Sequence, residues 1–262
     1  MNTDRLNSQL NSQTREEKDR FSADISFVGS MYHKNSYDDI KDKLPPYLRG
    51  YFDAAMLAQL NIYGDNIIDE LLTVDILKQL SEFVDFRQDK RAFSDIRLVF
   101  ESTFLGFKLA NIERVKTLNL LAKKNKVALY TDEQDTSLIN VDFKGTVDYM
   151  NDMPKVFNNS SINLNMTIRN IRTGIPLRVW DILGAGGFLL TNYQIELTDY
   201  FKNEESIVYY EDMYDCCKKA EYYLLHEDKR RQIAAKGHEL VSKKHSYINR
   251  VKYILDVIGK IS

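Results

Sequence analysis

Apolar and polar positions change their rhythm twice along the chain, and the changes divide it. Residues 1–22, "MNTDRLNSQLNSQTREEKDRFS", offer Asn, Gln, Ser and charge with almost nothing to bury, which predicts a polar tail or linker, either disordered or a short surface helix. "ADISFVGS" (23–30) is a short β-rich run closed by Gly29 and Ser30, the pattern of a buried strand leaving into a loop. The spacing then lengthens to that of helices. "NIIDELLTVDILKQLSEF" (66–83) carries one stripe through Ile67, Ile68, Leu71, Leu72, Ile76 and Leu80, and 91–125 carries another through Ile96, Val99, Phe100, Thr103, Phe107, Val115 and Leu118, stopping at Asn125.

From residue 126 the pattern alternates. "KVALYTD" (126–132), "VDFKG" (141–145), "SINLNMT" (161–167), "GFLLTN" (187–192) and "SIVYY" (206–210) read as strands, with helices over 147–160 and 175–183 between them and three helices at the end. In the helix at 175–183, Pro176 sits early, where its missing N–H does no harm, and Gly184 is placed to end it. The apolar centre of "GFLLTN" fits a strand covered on both faces. Six strands alternating with helices predict an α/β fold, a Rossmann-like doubly wound parallel sheet, with a helical insertion (36–124) after the first strand. Such sheets bind ligands beyond the carboxyl ends of their strands, near the point where strand order reverses.

Composition narrows this picture by exclusion. A formal net charge of -2 gives no global basic field for nucleic acid or acidic lipid. The two cysteines, Cys216 and Cys217, are adjacent, a spacing that suits neither an ordinary disulfide nor a zinc knuckle, so a reducing cytoplasm fits, with one thiol buried and one near the surface. No apolar stretch is long enough to span a bilayer, which leaves only peripheral membrane contact. The four histidines show no metal-ligand spacing; His226, His238 and His245 lie in charged segments and are expected to face solvent, whereas His33 follows the first strand and is within reach of a site. No metal and no cofactor is implied.

Candidate chemistry lies at the predicted strand exits. Gly29 and Ser30 would offer a phosphate bare backbone and a hydroxyl, or be a simple strand exit, since one Gly-Ser pair is not a dinucleotide fingerprint. A dinucleotide oxidoreductase is set aside for the same lack. Arg178 and Asp181 are three apart on one helix face. They are either a surface ion pair or a nucleotide site, in which a planar guanidinium grips diphosphate and a carboxylate accepts ribose hydroxyls. Asn163 and Asn165 share a strand face and are either core amides or ligand groups, Asn165 being nearer the strand end.

The order "DISFVGSMY", "NIYGDNIIDELL", "VALYTD", "FKGTVDYMNDMPKVF", "INLN", "GIPLR" and "GGFLLTN" resembles the CgeB family, glycosyltransferase-like proteins named for spore maturation, from about Ala23 to the carboxyl end. The resemblance implies residues 23–262 are the carboxyl-terminal, nucleotide-sugar-binding domain of a GT-B glycosyltransferase, one Rossmann-like half, ahead of which the acceptor-binding domain is missing. It implies a nucleotide-sugar donor, an unidentified acceptor (glycan, protein or lipid-linked), metal-independent transfer, and a place in the cytoplasm or peripheral to a membrane or spore surface. It matches Asp181 to the second acid of the family's E-x7-E pattern, which holds the donor ribose, and Arg178 to the diphosphate. It matches Gly29 and Ser30 to the phosphate loop, and the segment from Gly145 to Tyr149, with Thr146 and Val147, to the loop beside the base. The first acid's position falls on Thr173, which carries no charge. That departure keeps a rival reading alive, a non-catalytic nucleotide-binding or scaffolding module in spore-coat or surface-polysaccharide assembly.

Overall fold

Short β-rich runs buried on both faces build the centre of the molecule. The computed structural model describes residues 3–85, 95–132 and 134–261. Its strands are β1 (Ile25–Val28), β2 (Val127–Tyr130), β3 (Asp142–Phe143), β4 (Ile162–Asn165), β5 (Leu189–Asn192) and β6 (Val208–Tyr210). All pair in parallel, in the order β3-β2-β1-β4-β5-β6. This is the Rossmann-like doubly wound arrangement, with its reversal of strand order between β1 and β4. Alternation sends Ile25, Phe27, Leu129, Leu164 and Leu190 to one core. Val28, Ala128, Tyr130 and Leu189 go to the other.

Ahead of β1 lie helices α1 (Thr3–Asn11) and α2 (Arg15–Phe21). A capping box starts α2: Glu17 N donates to Thr14 Oγ1 at 3.2 Å, and Thr14 N donates to Glu17 Oε2 at 3.0 Å. Leu6 and Phe21 are buried, so this segment packs where its composition promised only a surface role.

Between β1 and β2 run α3 (Ser36–Ile40), α4 (Pro46–Gln59), α5 (Ile67–Leu71), α6 (Val74–Ser81), α7 (Ile96–Val99), a π-helical segment (Phe100–Gly106) and α8 (Phe107–Leu121). Tyr37, Leu48, Phe52, Met56, Ile68 and Phe100 bury a core of their own here. The single stripe expected over 66–83 is two helices, because Thr73 turns extended and its Oγ1 caps α6 by accepting from Ile76 N at 3.3 Å. The stripe expected from residue 91 begins at Ile96; residues 91–94 of that stretch lie outside the described residues.

After β3 come α9 (Met153–Asn159), α10 (Leu177–Gly184), α11 (Leu197–Tyr200), α12 (Met213–Leu225), α13 (Glu227–Lys244) and α14 (Tyr247–Ile261). α10 ends at Gly184, where the sequence places its stop; Ala185 is the cap, and Gly186 takes the left-handed turn at φ 74°. Gly187 N then donates to Ile182 O and Gly186 N to Leu183 O, a Schellman ending that points the chain into β5. A Cβ on Gly187 would stand 2.6 Å from both Asn163 Nδ2 and Phe157 O.

Candidate functional site

Because every strand is parallel, all six carboxyl ends open on one edge, and the connections leaving it form a rim where loop residues from several strands converge. At the reversal point between β1 and β4, Arg114 of α8 reaches across. Its Nη1 donates to Ser30 O and its Nη2 to Met166 O at 2.7 Å, so one buried guanidinium ties the loop after β1 to the loop after β4. Tyr32, with a left-handed backbone (φ 51°), lies under that guanidinium at 4.7 Å and stacks on Phe107 at 4.6 Å. Burial lowers the pKa of Arg114. Gly29 and Ser30 stay accessible beside this clamp; Ser30 Oγ accepts from Tyr32 N at 3.2 Å.

On the other face of the sheet, α10 starts at Leu177 behind Pro176, and its first two turns carry Arg178 and Asp181 toward α9 and the loop after β3. Arg178 Nη1 stands 3.7 Å from Asp181 Oδ2, with side chains only 26% and 12% exposed. Arg178 also touches Met153 Sδ and lies 5.6 Å from the Phe157 ring. Tyr149 donates its hydroxyl to Asp181 Oδ1 at 3.0 Å. Burial raises the Asp181 carboxyl above its ordinary pKa against the opposing pull of Tyr149 and Arg178, and burial lowers Arg178. Tyr149 is pushed up to about 12, by burial first and by Asp181 next. The ion pair that the i, i+3 spacing allows is therefore present, but sheltered rather than at a bulk-solvent face. Gly145, at φ 72°, turns the chain out of β3 with nothing within 4 Å of where a Cβ would sit. Exposed Thr146 and half-buried Val147 then lead to Tyr149, whose ring is about half exposed beside the pair.

Other candidates are placed differently. Asn165 is withdrawn as a ligand group: it is buried and donates its amide to Thr167 Oγ1 at 3.0 Å and Thr191 Oγ1 at 2.9 Å, because the strand end closes on itself there. Asn163 is likewise a core bracket, accepting from Ser26 Oγ and donating to Phe157 O and Phe188 O. Thr173 is exposed in the loop before α10, next to Gly174, whose N–H donates to Glu196 Oε2. No hydrogen bond or ion pair among the described residues joins Gly29, Ser30 or Thr173 to Arg178 or Asp181. The expectation of solvent-facing histidines fails for two of three: His238 Nδ1 meets Leu183 O at 3.0 Å, and His245 packs 4.9 Å from Trp180. Helix α13 docks on α10, which draws both inward. Cys216 is buried and Cys217 partly so.

Sequence reading passed over Glu113, Arg114, Arg169 and Gln194. Arg169 and Glu113 form an ion pair at 2.7 Å with both side chains at most 4% exposed. Tyr63 donates to Glu113 Oε1 at 3.1 Å, and Arg169 lies 3.4 Å over the Tyr63 ring. Burial raises the Tyr63 hydroxyl. The available signal was an adjacent Glu-Arg inside the apolar stripe of 91–125, two charges where the helix had little room for them. Where the loops after β4 and β5 meet, a cavity of about 20 Å³ is lined by Gly64, Thr167, Arg169, Asn192 and Gln194; Arg178 and Asp181 do not line it. Among the described residues no group of three or more His, Cys, Asp or Glu could hold a metal ion, and no helix is long and apolar enough to cross a membrane.

Residues 111–256, more than half of the chain, match the family described as Glycosyl transferase-like, and the chain belongs to that family. No curated protein matches the sequence. Among solved structures, TarM of S. aureus is 13% identical over 55% of this chain and 31% of its own, with a TM-score of 0.44. HepE of Anabaena, solved in complex with UDP-glucose, is 11% identical over 56% of this chain and 44% of its own, with a TM-score of 0.46. The C-terminal domain of a glycosyl transferase group 1 family protein (LpcC) from Francisella tularensis is 13% identical over 51% of this chain and 78% of its own, with a TM-score of 0.43. The chain thus spans about a third of TarM and less than half of HepE.

Proposed function

We propose that this chain is the donor-binding domain of a GT-B glycosyltransferase of the CgeB type, which holds a nucleotide diphosphate sugar while a second, acceptor-binding domain presents the acceptor. The observation that carries the reading is the sheltered Arg178–Asp181 pair, with Tyr149 on the carboxylate, close to the carboxyl edge of a doubly wound sheet. A guanidinium with spare N–H donors suits a diphosphate, and a carboxylate suits paired ribose hydroxyls. The loop from Gly145 to Tyr149 then lies beside the base, and Gly29 and Ser30 near the phosphates. In this reading the leaving diphosphate is stabilised by Arg178 and by backbone and hydroxyl donors, with no step through a metal.

Isothermal titration with UDP-glucose, UDP-galactose, UDP-N-acetylglucosamine and GDP-mannose tests this. At least one is expected to bind, and Arg178→Ala and Asp181→Ala are each expected to weaken it about tenfold or more. Binding of none, or variants that bind as wild type does, refutes the donor site. A second reading has one observation in its favour: Thr173, exposed and uncharged, occupies the position that the resemblance gives to the first acid. A non-catalytic nucleotide-binding or scaffolding module would bind donor without supporting transfer once the acceptor domain is supplied.

A further inference from the structure

The cavity between the loops after β4 and β5 is lined by two buried polar side chains, one wholly and one partly without partners in the protein. Gln194 is 6% exposed, and neither its Nε2 nor its Oε1 has a hydrogen-bond partner within the protein. Arg169, also buried, commits Nη2 to Glu113, while its Nε and Nη1 have no such partner. Both line the same small space. Its wall is closed by a reciprocal bracket: Thr167 N donates to Asn192 Oδ1 and Asn192 Nδ2 donates to Thr167 O, each at 2.8 Å. Buried polar groups in folded proteins are ordinarily paired, so a wholly unmet amide beside an under-used guanidinium marks a place for a polar guest.

Charge and size narrow the guest. Arg169 is balanced by Glu113, and nearby Arg172 by Asp69 at 2.9 Å, so the cavity has no surplus positive charge for an anion. An amide exposing both a donor and an acceptor is met by a group that also does both; a hydroxyl qualifies, whereas an ionised oxygen only accepts. A volume of about 20 Å³ takes one oxygen-sized group. The segment carrying Arg169 runs on through residues 170–176 into α10, so the cavity and the Arg178–Asp181 pair flank one loop.

We propose that this cavity receives one hydroxyl of the sugar carried by the nucleotide donor, with Gln194 accepting from and donating to it and Arg169 donating. The inference rests on the donor-binding reading. It makes Gln194 a specificity-determining residue: an epimer that turns the hydroxyl away leaves the amide buried and unmet, and is rejected.

The test titrates the full 262-residue chain, as wild type and as Gln194→Leu, with the four nucleotide sugars above and with UDP and GDP. Leu matches Gln in bulk and removes two unmet polar atoms, so the variant is expected to fold; Gln194→Met serves if it does not. The best-bound nucleotide sugar is expected to bind about tenfold more weakly to the variant, while its parent diphosphate binds both proteins alike. Equal sugar-nucleotide affinity in both proteins, or an equal loss for sugar nucleotide and diphosphate, overturns the sugar-hydroxyl site and leaves the donor reading standing. Failure of wild type to bind any of the six ligands overturns both.

Discussion

Asp181 shows how burial sets the pH behaviour of one residue. Burial raises its pKa, which means that the folded protein binds its proton more tightly than the unfolded chain does. The sign follows from linkage: at pH above the raised value the ionised carboxylate costs stability, and as pH falls through it toward the ordinary carboxylate range, about 4, that cost disappears. Asp181→Asn is therefore expected to be at least as stable as wild type near about pH 7, with an advantage that shrinks toward about pH 4, as urea unfolding at several pH values would show. A constant difference across that range contradicts the assignment. The Arg-Asp spacing was legible in the sequence as a shared helix face. The bond from Tyr149 to the Asp181 carboxylate was not, because it crosses 32 positions and follows from the path of the loop after β3.

At the scale of elements, the glycine cluster ahead of β5 has a mechanical reason. Gly186 supplies the left-handed turn and Gly187 the absence of a side chain where α9, β4 and α10 converge. Gly187→Ala is expected to destabilise by about 1–3 kcal/mol, since the new Cβ would overlap a backbone oxygen and a buried amide that cannot both move. An unchanged midpoint in chemical unfolding would show that the convergence has slack. The stop at Gly184 was legible, but not that Gly186 turns left-handed, because sequence marks a glycine-rich ending without saying which glycine takes positive φ. The break at Thr73 has the same character: the apolar stripe continues across it, and only the cap, an extended residue with its hydroxyl on Ile76 N, separates the two helices.

Across the whole molecule, burial is uneven. The sheet carries a core on each face, and the helices between β1 and β2 carry a third, while α14 ends the chain with Tyr253, Leu255 and Val257 exposed. Its root is held by Arg250, 5.2 Å from the Trp180 ring and 5.6 Å from that of Tyr200. Leu255→Lys is accordingly expected to change stability by no more than about 0.5 kcal/mol in urea titration, and a larger loss would mean that the exposed face is covered in solution. The sequence by itself determined the fold class and strand count, because short continuous β-rich runs alternating with period-3.6 stripes are local properties that survive without tertiary information. It also determined which helix face carries Arg178 and Asp181. Tertiary structure alone decided the burial of Asn165, the Arg114 clamp between strand exits and the Arg169–Glu113 pair. Each depends on which distant loops meet at the carboxyl edge, and no spacing along the chain encodes that meeting.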